Sequence, residues 1–139
     1  MASVVAPESK SESSTIAQER PWTLGSVWNV QFIRLNPGQG LEYARQLAAT
    51  WKKELDAQKK EGLVLSYKIM SGPAQNREDF THMLMVEYPN FGALDQLDKF
   101  DATAKKVYGS LASAQEMMRK RQEIREIIGS RLFRELHFK

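Results

Sequence analysis

The sequence contains no cysteine. That excludes disulfides, zinc–thiolate and iron–sulfur centres, and thiol catalysis. It leaves the compartment open, because cysteine-free chains occur in either redox environment. Histidine is scarce too: His82 and His137 are the only two, with 54 residues between them, and strand alternation predicts them on opposite faces. No metal site and no cofactor are expected from so thin a ligand supply. No apolar run approaches bilayer-spanning length, so no membrane partner is expected. Gly38-Gln39-Gly40 precedes a helical pattern but lacks the further glycine and the lysine of a phosphate-cradling loop, and reads as a turn. An uninterrupted basic stripe is also missing. Lys52-Lys53, Lys59-Lys60, Lys105-Lys106 and Arg119-Lys120-Arg121 nearly all have acids close by, so the net charge of +3 describes solvated helix faces rather than a nucleic-acid surface.

What is present is enough for one domain. A chain of 139 residues, 42% hydrophobic and 27% charged, has the make-up of a single globular unit with a substantial core. Residues 1–21 are rich in Ser, Glu and Ala and are expected to form a disordered or extended tail. They lack the charged start and apolar core of a secretory signal. Residence in the cytoplasm and export after removal of a signal segment both stay open. The domain is expected over residues 22–139.

Its centre is a predicted hairpin of residues 63–70 and 80–88, with 68 near 83, 66 near 85 and 64 near 87. Residues 71–78 between them are turn formers. Before the hairpin come a strand over 27–35, stopped by Asn36-Pro37-Gly38, and a helix from Gly40 to a glycine stop at Gly62. The helix stripe is read as Leu41, Ala44, Leu47, Ala48, Trp51 and Leu55. After the hairpin, Asn90 is placed to cap a helix carrying Phe91, Leu94, Leu97 and Phe100, with a break near Gly109. A further helix over 113–128 sets Met117, Arg121, Ile124 and Ile128 along one side and ends at Gly129. Residues 131–138 alternate as a last strand.

Strand, helix, strand, strand, helix, strand is the ferredoxin-like βαββαβ order. With the segments Asn36-Pro37-Gly38, Val86-Glu87-Tyr88-Pro89-Asn90 and Phe133-Arg134-Glu135-Leu136, the chain resembles the dimeric α+β barrel superfamily. The resemblance implies an α+β sheet with helices on one face and a homodimer whose sheets pack face to face. Some relatives bind haem, and some of those degrade it with a strand Asn and a helix Trp and His. Asn29 is a plausible counterpart on the first strand, but no His or Trp lies between Asn90 and Ile128, so the axial ligand is absent. Others are cofactor-free monooxygenases acting on aromatic polyketide-like substrates, whose active sites supply no motif to transfer.

The alternation also argues for a dimer without the resemblance. If helices cover the face of Trp28, Val30, Phe32, Leu65 and Leu84, then Val27, Ile33, Val64, Met70, Met83 and Met85 stay bare. That patch is larger than a monomer usually tolerates, and a second sheet would bury it. The same face is assigned Asn29, Gln31, Ser66, Lys68, Glu135 and His137. With Met83 and Met85 these are the candidate ligand-binding residues; no catalytic residue is assigned. His82 is read as packing on the helix side, and Glu116 to Arg125 as helix-supporting charge pairs that need no partner. The expected function is a homodimer or larger homo-oligomer binding a small, mostly apolar molecule in a cavity between sheet and helices. The alternatives are a cofactor-free monooxygenase or isomerase-like enzyme, and a structural assembly protein whose sheet face is an oligomer interface.

Overall fold

A computed structural model describes residues 19–139. Residues 1–18 of the expected tail lie outside the described residues. The elements are β1 (Trp22–Leu35), α1 (Gly40–Gln46), a π-helical turn (Leu47–Trp51), α2 (Lys52–Lys60), β2 (Ser66–Ser71) and β3 (His82–Tyr88). A 3-10 turn (Phe91–Asp95), α3 (Leu97–Tyr108), α4 (Leu111–Gln122) and β4 (Arg125–Phe138) follow. The sheet is antiparallel throughout, in the order β2-β3-β1-β4, with the helices on one face. This is the ferredoxin-like α+β architecture the element order predicts.

Local chemistry sets most boundaries as expected. Gly62 and Gly109 adopt positive φ, at 78° and 86°, where a side chain would be strained, and each closes a helix. The Asn90 side chain accepts from the Ala93 amide at 2.9 Å, although the turn it caps is 3-10 rather than α. The first and last strands, β1 and β4, run longer than their alternation suggested. The helix expected to reach residue 128 stops at Gln122, and 125–130 form the start of β4. Gly129 is therefore no helix stop; it pairs with Phe32 beside an irregularity in the β1–β4 register. A second irregularity falls between Leu24 and Val27, where the ring of His137 lies over Gly25. A Cβ at Gly25 would meet the imidazole, so a larger residue there would push the His137 ring aside.

Two expectations about side-chain direction need correction. The hairpin pairs Ser66 with Glu87, Lys68 with Met85 and Met70 with Met83, two residues away from the expected register. A slip of two preserves the alternation, so the faces of the paired residues survive. Ahead of β2 they do not: Val64, expected on the bare face, is buried in the core, and Leu65, expected under the helices, is exposed, because β2 begins only at Ser66. The face of β1 does not survive either. Across the sheet, Trp28, Glu87 and Ser66 form one row, Val30, Met85 and Lys68 the next, and Phe32, Met83 and Met70 a third, all away from the helices. Val27, Asn29, Gln31 and Ile33 face the helices instead, in rows with Val86, Tyr67, Leu84 and Ile69. Trp28, Val30 and Phe32 thus belong to the bare face, and Val27 and Ile33 to the covered one.

The core lies between sheet and helices. Ile33, Tyr43, Leu47 and Leu84 form one buried cluster, and Leu55, Val64 and Val86 another; Trp51 packs against both. The helix stripe is rotated from expectation. Tyr43 is buried at 1% exposure while Leu41 is 65% exposed. Among the described residues no helix is long and apolar enough to cross a membrane.

Candidate functional site

Two hollows open between the helices and the sheet, with Trp51 in the wall of each. The first is an apolar cleft of about 300 Å³ between α1 and the β2–β3 pair. Its origin is in the sequence: Gly40, Ala44 and Ala48 fall four residues apart, and all three line it. Side chains this small leave the space between helix and sheet unfilled. Leu47, Trp51, Tyr67 and Ile69 supply apolar walls, and His82 and Ser71 add polar atoms. The π-helical turn carries Leu47, Ala48 and Trp51, and such local rewinding is frequent where helices serve a site. Trp51 meets Tyr67 edge-on with ring centres 5.2 Å apart. The Tyr67 hydroxyl donates to Asp56, which also takes the Lys52 ammonium at 2.8 Å, so the cleft margin at Tyr67 and Lys52 is tied down.

His82 stands edge-on to the Tyr43 ring, 5.9 Å between centres, and its Nδ1 is 2.8 Å from the Thr81 hydroxyl. Burial holds the imidazole below its ordinary pKa, favouring the neutral ring at physiological pH. It is a packed helix-side histidine, as the alternation implied, and it also lines the cleft.

The second hollow, about 180 Å³, is polar. Asn29 and Gln31 reach it from β1, Glu54 and Gln58 from α2, and Arg121 and Arg125 from the junction of α4 and β4. Arg121 and Arg125 are 3% and 5% exposed. Arg125 donates to the Tyr43 hydroxyl at 2.8 Å and approaches the Met118 sulfur at 3.6 Å. Glu54 accepts from Tyr108 at 3.0 Å and from Gln58 at 3.3 Å. Burial, reinforced by the charge of Glu54 and their hydrogen bond, pushes the Tyr108 hydroxyl up to about 12. The sequence presents Glu116 to Arg125 as helix-supporting charge pairs, and neither Arg121 nor Arg125 is among the residues it points to as a site. Arg119 fits that description, bridging exposed Glu116 and Glu123. The signal for Arg121 was its position on the same helix side as Met117 and Ile124, where a solvated arginine has no reason to be.

The candidate residues therefore divide. Asn29 and Gln31 line the polar hollow on the helix side. Lys68, Met83, Met85 and Glu135 border a shallow apolar basin of about 430 Å³ on the bare face, with Trp28, Val30, Phe32 and Phe133. Ser66 sits at its edge and donates to Glu87 at 2.6 Å; Ser26 donates to the other oxygen at 2.5 Å. Burial acts to raise the Glu87 pKa, but the two hydroxyls and Lys68 outweigh it and the net shift is downward. Glu135 accepts from the Trp28 indole at 2.8 Å and stands 3.2 Å from the half-exposed His137 ring. Lys68 lies over Trp28, 4.9 Å from the ring centre. The expected single constellation does not form, because the inverted face of β1 carries Asn29 and Gln31 away from the rest.

No protein-family model matches the sequence, and no curated protein is significantly similar to it. Among solved structures, a dimeric ferredoxin-like protein from an uncultured marine organism superposes with a TM-score of 0.51 at 14% identity, over 83% of this chain and 90% of that one. A protein of unknown function from Bacteroides thetaiotaomicron, described as a possible oxidoreductase, gives a TM-score of 0.42 at 17% identity, over 81% and 97% of the two chains. The first likeness shows the shared fold.

Proposed function

We propose that the protein is a homodimer that binds a small, mostly apolar molecule in the cleft between α1 and the β2–β3 pair of each subunit. The observation that carries the reading is the cleft itself: about 300 Å³ of space walled by Leu47, Trp51, Tyr67 and Ile69 and kept open by Gly40, Ala44 and Ala48. Small-molecule sites are characteristically concave and apolar with a few oriented polar groups, and His82 and Ser71 play that part here. The dimer is supported by the bare sheet face. Its Trp28, Phe32, Met83 and Met85 border a wide apolar basin, the surface that a second sheet would cover.

Calorimetric titration with 1-decanol tests the ligand reading, using the wild type and Ala48→Leu. Saturable binding that disappears in the variant is the expected result. Equal binding by both proteins places the molecule elsewhere and rejects the cleft. Light scattering on the same samples is expected to give the mass of two chains, and a monomer would remove the dimer.

The enzymatic alternative, a cofactor-free isomerase or monooxygenase, is favoured by one feature. A neutral imidazole lines the cleft and is anchored through Nδ1, as a proton acceptor would be. Mass spectrometry and NMR of a bound ligand recovered after aerobic incubation test it. Chemical change that depends on His82 supports catalysis, and an unaltered ligand supports binding alone.

A further inference from the structure

The polar hollow holds a charge imbalance. Arg121 and Arg125 line it with a single acid, Glu54; the remaining polar side chains, Asn29, Gln31 and Gln58, are neutral. Two guanidinium groups and one carboxylate leave one positive charge uncompensated. Neither arginine makes an ion pair among the described residues. Their Nε atoms are buried without a hydrogen-bond partner. Arg125 keeps Tyr43 and a sulfur contact, whereas Arg121 has only longer-range attraction to the Glu54 carboxylate. Burial and the like charge of Arg125 both act against the Arg121 cation, the reverse of what a structural ion pair does. Buried guanidinium groups normally have carboxylate or carbonyl acceptors, and leaving one short of acceptors is strongly unfavourable.

We infer that Arg121 and Arg125 receive the carboxylate of the bound molecule, with its apolar body in the adjoining cleft, so the ligand class is a hydrophobic carboxylic acid. The inference rests on the apolar-cleft reading above and refines it. A monoanion matches the single excess charge, and a carboxylate offers the acceptor oxygens that a planar guanidinium fork engages. The two hollows are neighbours: Trp51 lines both, and Tyr43, in the cleft wall, holds Arg125. Asn29 and Gln31 can donate amide protons to the same carboxylate.

The test compares decanoate with 1-decanol, which share a chain and differ in the head group, by calorimetry on the intact protein. Decanoate is expected to bind about tenfold or more tightly than decanol, the scale of a charge-assisted hydrogen bond in a buried site. Arg121→Gln is expected to erase that preference while decanol binding persists. Because Arg121→Gln could unfold the chain, Glu54→Gln provides an independent arm. Removing the competing acid is expected to tighten decanoate binding and leave decanol unchanged. If both ligands bind equally to the wild type, the carboxylate site is wrong and the apolar cleft stands. If neither binds, both fall. A preference for decanoate that survives Arg121→Gln and ignores Glu54→Gln overturns the assignment to this hollow.

Discussion

Arg125, the first residue of β4, donates to the hydroxyl of Tyr43 on α1 at 2.8 Å, and its guanidinium lies 5.7 Å from the centre of the same ring. Residues 82 positions apart are thereby joined at the floor between helix and sheet. Burial raises the Tyr43 pKa, with Arg125 pulling the other way, and the hydroxyl stays protonated at neutral pH. Its oxygen is thus the acceptor that keeps Arg125 supplied inside the protein.

Tyr43→Phe removes that acceptor and keeps the ring. The buried guanidinium then loses a hydrogen bond, and a destabilisation of about 1–3 kcal/mol is expected by urea denaturation. No change in midpoint would mean that Arg125 finds another acceptor.

Ala48→Leu fills the cleft from the helix side. Added apolar contact in an open space is expected to stabilise the fold by about 1 kcal/mol while abolishing ligand binding. Thermal denaturation and titration on one sample check both halves, and loss of stability would show that the cleft wall is already tightly packed.

Met83→Glu places a carboxylate on the bare face, in the row with Phe32 and Met70. The substitution is expected to yield a folded monomer by light scattering with an unchanged far-ultraviolet spectrum, because burying an unpaired charge at an interface is strongly unfavourable. A variant that stays dimeric would locate the interface elsewhere.

Titration of His82 gives a pH signature. Its pKa in the fold lies below the ordinary value of 6.5, because burial disfavours the cation. The unfolded chain therefore binds the proton more readily. Stability contributed by the neutral ring is complete above 6.5 and is lost as pH falls through the lower folded value. Denaturation midpoints are expected to drop over that window in the wild type and to drop less in His82→Gln. Identical profiles would show that the imidazole is freely solvated.

Much of this architecture was legible in the residues. Asn36-Pro37-Gly38, Gly62 and Gly109 act locally, through turn chemistry and permitted φ, and each ends an element where expected. The direction of β1 was not legible, for a physical reason. Trp28, Val30 and Phe32 on one side and Val27 and Ile33 on the other are both apolar, so alternation defines two faces without saying which meets the helices. Pairing to Glu87, Met85 and Met83 decides it, and that is a non-local fact. Ile127 and Ile128 look helical when read with Ile124, and only the pairing of β4 to β1, in which Ile127 lies opposite Ile33, makes the segment strand. The candidate site split along the same line. Its Ser66, Lys68, Met83 and Met85 stay together because a register slip of two residues keeps their parity, while Asn29 and Gln31 move to the arginines.

The most direct test of the central claim is NMR of the indole groups during titration with decanoate. The chain has three tryptophans, Trp22, Trp28 and Trp51, which variants can assign one by one. Trp51 lines both hollows, whereas Trp28 donates to Glu135 on the opposite face of the sheet. A saturable shift of the Trp51 resonance with Trp28 unmoved is the predicted result. A shift of Trp28 with Trp51 unmoved, or no shift of either, would contradict a ligand site between the helices and the sheet.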